Sequence, residues 1–280
     1  MGEKVIPSSL AEALDFLSTH DCNIVAGGSD IMLQKKNTAG LLPHFDKDVL
    51  FISNLRELHY ERKEDDGVHI GATMTLEEIL DHTITPQVLK DCLSELASSN
   101  IRHFATLPGN IANASPAGDT IVVEILLDAM VKLTSKTGSR YVKVEDFVKG
   151  VRKIDLHNDE LIEEVIYPSN DYDVIKWFKV GSRKAESISK VSFAGAYKIE
   201  GGKIKSISIA FGSVFMKAIR SHELEKELIG MSLKELSSSI EEFVSKYSNV
   251  ISPIDDQRSN KTYRRNVAEN IVREFLKEIK

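Results

Sequence analysis

Ile101-Arg-His-Phe-Ala-Thr-Leu-Pro-Gly-Asn-Ile-Ala-Asn-Ala-Ser-Pro-Ala-Gly-Asp119 is the stretch around which the chain is organised. It has neither a helical nor a strand period, and an apolar helix pattern follows it. Ordering so long a polar loop inside a compact domain is costly, and such loops are usually functional. Thr106, Asn110, Asn113 and Ser115 offer hydrogen bonds, and Gly109 and Gly118 let a ligand approach the backbone. Asp119 opens a helix, whose first N–H groups point outward and can meet an anion. The alternative is a loop whose Asn and Ser satisfy only their own backbone.

A second stretch, Ile24-Val-Ala-Gly-Gly-Ser-Asp30, is a short apolar run ending in a glycine pair, with a helix pattern starting at Asp30. Strand, glycine turn and helix start together hold a phosphate through backbone N–H groups. A glycine turn before an Asp N-cap is also common in α/β proteins that bind nothing there.

Composition narrows the classes. A chain of 280 residues suggests about two domains. Its hydrophobic content of 42% and charged content of 28% are ordinary for a globular protein. The net charge of −6 argues against nucleic acid as a main partner. No apolar run approaches the ~20 residues that span a bilayer. Met-Gly-Glu-Lys-Val-Ile-Pro lacks a signal-peptide core, so the cytoplasm is the expected location. Cys22 and Cys92 are the only cysteines, too few for an iron–sulfur cluster, and no zinc spacing occurs among the 8 histidines. No metal site and no catalytic acid, base or nucleophile is expected, so redox work would need an organic cofactor. The G-x-G-x-x-G and Walker A patterns are absent, which argues against the common NAD and ATP sites.

Along the chain, Ser9-Leu-Ala-Glu12 and Thr75-Leu-Glu-Glu78 read as capping boxes. Helices are expected at about 10–20, 30–37, 86–98 and 119–128, the last of them buried because it is apolar all round. Strands are expected at 23–26, 49–53, 68–73, 130–134, 140–144 and 161–167. Pro168-Ser-Asn-Asp-Tyr-Asp is a polar break taken as the domain boundary. Beyond it, 174–180, 191–199 and 203–211 read as strands, the last two joined by the hairpin signal Glu200-Gly-Gly. Helices follow at about 221–229, 232–247 and 259–278. Glu77-Glu78 and Glu163-Glu164 read as surface charges, because adjacent residues point apart. Lys261-Thr-Tyr-Arg-Arg reads as a solvated or interface helix face.

The two loops together resemble the FAD-binding subunit of the molybdenum hydroxylases, the xanthine dehydrogenase, carbon monoxide dehydrogenase and aldehyde oxidoreductase group. Ala-Gly-Gly-Ser-Asp and Ala-Thr-Leu-x-Gly-Asn-Ile-Ala-Asn-Ala-Ser-Pro-Ala-Gly-Asp carry the resemblance, and it continues to Tyr263-Arg-Arg-Asn-Val-Ala. It implies an α+β fold: a two-part FAD-binding domain of the vanillyl-alcohol-oxidase/molybdopterin-dehydrogenase type over 1–170, with parts at about 1–55 and 56–170. A C-terminal domain of a three-stranded antiparallel sheet with helices would cover 171–280.

The resemblance also implies a site. The loop of Ala26, Gly27, Gly28, Ser29, Asp30 and Ile31 would meet the FAD pyrophosphate through backbone N–H groups, with Val25 approaching from the strand. Thr106, Gly109, Asn110, Asn113, Gly118 and Asp119 would contact pyrophosphate, ribose and adenine. Ile162 and Lys179 would approach the isoalloxazine, where a cation stabilises the anionic reduced ring. The alternative for Lys179 is a surface lysine with its head in water. Where the family usually has Gly-Gly-Asn, this chain has Pro108-Gly109-Asn110, so one N–H is missing.

The implied function is electron transfer. FAD would take electrons from an iron–sulfur small subunit, itself fed by a molybdenum-cofactor large subunit, and pass them to NAD, oxygen or another acceptor. The implied assembly is a dimer of heterotrimers. The competing readings are a standalone FAD-dependent reductase of the same superfamily and a non-enzymatic nucleotide-binding protein.

Overall fold

A computed structural model describes residues 2–36, 38, 40–184 and 186–280. The chain divides into two compact units. One comprises the chain up to Pro86, with Ala97–Ala114 and Ala129–Ser169. The other comprises Gln87–Leu96, Ser115–Asp128 and Asn170–Lys280.

In the first unit, strands Lys4–Val5, Asp48–Phe51 and Cys22–Val25 form a parallel sheet with Asp48–Phe51 in the middle. Helix Leu10–Leu17 buries Ala13 and Leu17 in a core with Leu50, Ile52, Leu55 and Leu58. The expected capping box here is half made. Ser9 accepts from Glu12 N, but the Glu12 carboxylate takes the N–H and hydroxyl of Ser8 instead. The box at Thr75 and Glu78 is complete. The expected helix at 30–37 is one turn, Ile31–Gln34, and its anticipated end at Asn37 lies outside the described residues.

The same unit holds a five-stranded antiparallel sheet in the order Glu61–Glu64, Gly67–Gly71, Leu161–Pro168, Met130–Ser135, Gly138–Lys143. The central strand is Leu161–Pro168, and its apolar residues Leu161, Ile162, Val165, Ile166 and Tyr167 are buried. A bulge at Glu163 interrupts its pairing with Met130–Ser135.

The pair Glu163-Glu164 therefore departs from the surface reading. Glu163 meets Lys132 Nζ at 2.6 Å and is partly buried. Glu164 is 2% exposed and accepts from Tyr60 at 2.7 Å and Arg62 at 3.2 Å, with His69 Nδ1 at 3.2 Å. His69 on the adjacent strand, Arg62 on the edge strand and Tyr60 just before it supply the partners that make burial of this carboxylate tolerable.

In the second unit, strands Val174–Val180, Val191–Glu200 and Lys203–Gly212 form an antiparallel sheet at the three stretches that read as strands. A two-residue strand, Ile219–Arg220, adds a fourth edge that the sequence does not announce. Gly201 and Gly202 make the hairpin turn with φ of 59° and 74°, which L side chains rarely adopt. Helices Leu233–Val250 and Lys261–Glu278 cover the sheet and share a core with Phe193, Ile209 and Phe211. Helix Asp119–Leu126 is buried along its whole length, as its all-round apolarity suggests. Within Lys261-Thr-Tyr-Arg-Arg, Arg264 is 3% exposed and not solvated. Its guanidinium donates to both Asp256 carboxylate oxygens at 2.8 Å and to the carbonyls of Lys190 and Ser213.

Candidate functional site

Residues 101–119 do not form one continuous loop. They contain the end of helix Ser99–Arg102, helix Leu107–Asn113 and the start of helix Asp119–Leu126. Thr106 is the N-cap of the middle helix, accepting from Gly109 N at 3.2 Å, and Pro108 sits in its first turn. Proline is tolerated there because those N–H groups have no partner within the helix. Ala114 ends the helix in the left-handed conformation, φ 45°. Gly118 and Asp119 then belong to the second unit.

In the first unit a cleft of ≈ 290 Å³ is lined by the two glycine-bearing segments. Val25, Ala26, Gly27, Gly28, Ser29, Asp30 and Ile31 form one side, and Thr106, Gly109, Asn110 and Asn113 contribute to the other. Ile24, Ala105 and Ala112, from the same two stretches, also line it, as do Gln34 and Arg152 from outside both.

Two glycines make the cleft possible. A Cβ on Gly27 would stand 1.6 Å from the carbonyl oxygen of Phe104, so only glycine lets these backbones meet. Gly28 has φ of +70°, which turns the chain from strand Cys22–Val25 into the one-turn helix. Val25, 2% exposed, anchors the loop from below, and its carbonyl accepts from Ile52 N at 2.9 Å.

The polar rim is one connected network. Gln34 Nε2 donates to Asp30 Oδ2 at 2.7 Å and to Asn113 Oδ1 at 2.9 Å. Arg152 Nη1 donates to the same Asn113 oxygen and to Asp30 Oδ2 at 3.2 Å. The Arg152 N–H is tied to Ala114 O at 3.1 Å, and its φ is 57°. Asp30 and Arg152 are the charged residues among those lining the cleft.

The residues expected elsewhere have different surroundings. Ile162 is buried on the central strand opposite Leu133, and it is not among the lining residues. In the second unit, Lys179 is no surface lysine. Its side chain is 4% exposed, with Nζ 2.8 Å from Asp119 Oδ2 and donating to Glu95 O at 2.8 Å. Asp119 Oδ1 accepts from Ser189 Oγ at 2.6 Å. A Cβ on Gly118 would stand 2.9 Å from Ile121 Cδ1 and 3.1 Å from Ser115 O.

Both thiols are unsuited to chemistry at neutral pH. Burial, with Asp48 and Asp21 nearby, pushes Cys22 up to about 11. Burial, with Asp119 nearby, raises Cys92 well above the usual thiol range.

The residues present fit part of an extended dinucleotide. Cleft volume lies at the low end of the roughly 300–1,000 Å³ of small-molecule sites. Its lining is glycine backbone, hydroxyl, amide and guanidinium, the donor set of a diphosphate and its sugars.

Residues 2–170 match the family described as the FAD binding domain in molybdopterin dehydrogenase, and 176–279 match the CO dehydrogenase flavoprotein C-terminal domain. The chain is 32% identical over 275 residues to the glyceraldehyde dehydrogenase medium chain of Sulfolobus acidocaldarius, covering 97% of this chain and 95% of that one. It is 30% identical over 240 residues to the nicotinate dehydrogenase FAD-subunit of Eubacterium barkeri, covering 81% and 79%. A chain of the reconstituted CO dehydrogenase from Oligotropha carboxidovorans has the same fold, with TM-score 0.87, 22% identity, and coverage of 98% and 96%.

Proposed function

We propose that this chain, which belongs to the FAD-binding family of the molybdopterin dehydrogenases, is the flavin-carrying subunit of a multi-subunit oxidoreductase. Bound FAD supplies the redox chemistry, accepting electrons singly or in pairs. Electrons would enter from an iron–sulfur small subunit served by a molybdenum-cofactor large subunit, within a dimer of heterotrimers, and leave to an acceptor such as NAD or oxygen.

One observation carries this reading: Gly27–Asp30 and Thr106–Asn113, far apart in sequence, line a single cleft. There the N–H groups of the Gly27–Gly28 turn would hold the pyrophosphate. Thr106 Oγ1 accepts from Gly109 N and keeps its own proton free to donate to a sugar or phosphate oxygen. The Asn110 and Asn113 amides would orient the ribose. The chain's own work is to bind and orient. No helix among the described residues is long and apolar enough to cross a membrane. Two free cysteines accord with a reducing compartment such as the cytoplasm.

The test is purification of the full chain. It should be yellow and carry one FAD per polypeptide, identified after acid release. Expressed with its native neighbours, it should co-purify with an iron–sulfur polypeptide and a molybdenum-containing one. A colourless chain that takes up no FAD on titration would overturn the reading.

A further inference from the structure

We propose that Arg152 and Asp30 form an exchangeable ion pair that makes the cleft selective for a diphosphate. Arg152 neutralises Asp30 when the cleft is empty and turns to the diphosphate when it is filled. This rests on the FAD reading and deepens it, by assigning the diphosphate's cationic partner to a residue outside both glycine-bearing segments.

Three observations carry it. The first is charge. A diphosphate brings about two negative charges into a lining whose own charged groups are Asp30 and Arg152. Without Arg152 the ligand would face the Asp30 carboxylate across a small cleft, and like charges so placed repel strongly.

The second is the weakness of the alternative. Helices Ile31–Gln34 and Leu107–Asn113 have four and seven residues, too few to sum much dipole at the site. Loop N–H groups can bind an oxygen, and Arg152 is the lining residue that brings a full positive charge to offset the ligand and Asp30.

The third is poise. The Arg152 backbone is pinned by its bond to Ala114 O in a left-handed conformation, uncommon for a non-glycine residue. Its side chain is 48% exposed, and Nη1 makes both contacts with Asp30 and Asn113. Nε and Nη2 make none among the described residues, leaving an edge of the planar fork for two phosphate oxygens. An ion pair this exposed is worth little by itself, so trading it for a ligand costs little. Gln34, which donates to Asp30 and Asn113, holds both acceptors in place during the exchange.

The experiment is a titration of the flavin-free full chain with three probes: FAD, ADP and riboflavin. ADP carries the diphosphate without the flavin, and riboflavin the flavin without the diphosphate. Arg152→Gln should weaken FAD and ADP by about ten- to a hundredfold and leave riboflavin unchanged. Arg152→Lys should recover only part of that loss, since a point charge does not replace the fork. Asp30→Asn should tighten ADP in the wild-type background. The double variant should bind ADP at least about tenfold better than Arg152→Gln alone.

The proposal falls if Arg152→Gln binds FAD and ADP like the wild type. It also falls if riboflavin weakens as much as FAD, because Arg152 is then only structural. The Asp30→Asn arm is independent of whether Arg152→Gln folds, and unchanged or weaker ADP binding there overturns the pairing. A wild type that binds ADP but not FAD would sink the flavin assignment and leave the diphosphate one standing. A wild type that binds neither sinks both.

Discussion

Two carboxylate–cation pairs, one in each unit, look alike on paper and differ in what surrounds them. Asp30–Arg152 is about half exposed on both sides, and Asp119–Lys179 is almost fully enclosed, at 5% and 4%. The exposed pair sits in water that screens it and solvates either partner if they separate, so it is worth about 0–1 kcal/mol. The enclosed pair has no such reserve. Its charges are satisfied by each other, by Ser189 and by the carbonyl of Glu95. The first suits a ligand exchange. The second holds strand Val174–Val180 to the start of helix Asp119–Leu126 within the second unit.

The largest expected effect breaks that contrast directly. Lys179→Met leaves Asp119 buried without its cation and should cost about 3–5 kcal/mol in urea unfolding. Arg152→Gln should change the same measurement by no more than about 1 kcal/mol. If Lys179→Met unfolds like the wild type while its flavin potential moves, the pair is functional and the contrast fails.

The glycine turn comes next. Gly28→Val forces a branched side chain to φ of +70° and should cost roughly 1–3 kcal/mol, with most FAD binding lost. Thermal melting and FAD titration on one preparation separate the two effects. Stoichiometric FAD in that variant would remove the turn from the site.

A third, smaller effect is pH-dependent. Burial opposes the charge on His69, but its bonds to Asp66 and Glu164 more than offset this and raise its pKa. A raised folded pKa means stability that is complete below about 6.5 and fades as pH climbs through the folded value. Melting temperature should therefore fall over that window, and His69→Gln should flatten the fall. An unchanged slope in the variant would assign the pH dependence elsewhere.

The smallest effect concerns Pro108. It lies buried in the first turn of its helix and is not among the cleft-lining residues. We therefore expect the N–H it lacks to point away from the ligand, against the alternative that it is a lost donor to the cofactor. Pro108→Gly should reduce stability by roughly 0.4–1 kcal/mol through the unfolded chain and leave FAD affinity unchanged. Tighter FAD binding by this variant would restore that idea.

Much of the second unit was legible because its signals are local. Its three long strands fall where the sequence reads as strands, and Glu200-Gly-Gly marked a hairpin whose glycines both take positive φ. The helix Leu107–Asn113 was hidden because its polar residues mask any apolar period, although Thr106 before Leu-Pro-Gly was a usable start signal. Gln34 was discoverable as well, since Asp30 and Gln34 stand four apart on one helix face. Arg152 carried no such sign. Gly150 to Pro168 is part of the stretch that resembles the family, but nothing in it marks Arg152 as the partner of Asp30, 122 residues away.

By itself the sequence determined where the backbone turns tightly, where most helices start and which two segments are glycine-bearing and polar. Those features depend on φ, ψ and side-chain types within a few residues. Only the tertiary structure decided which charges meet and which are enclosed. It joined Arg152 to Asp30, sealed Lys179 against Asp119 and buried Glu164. The strength of a charge depends on its distance from others and on the water left around it, and neither is a property of neighbours in the chain.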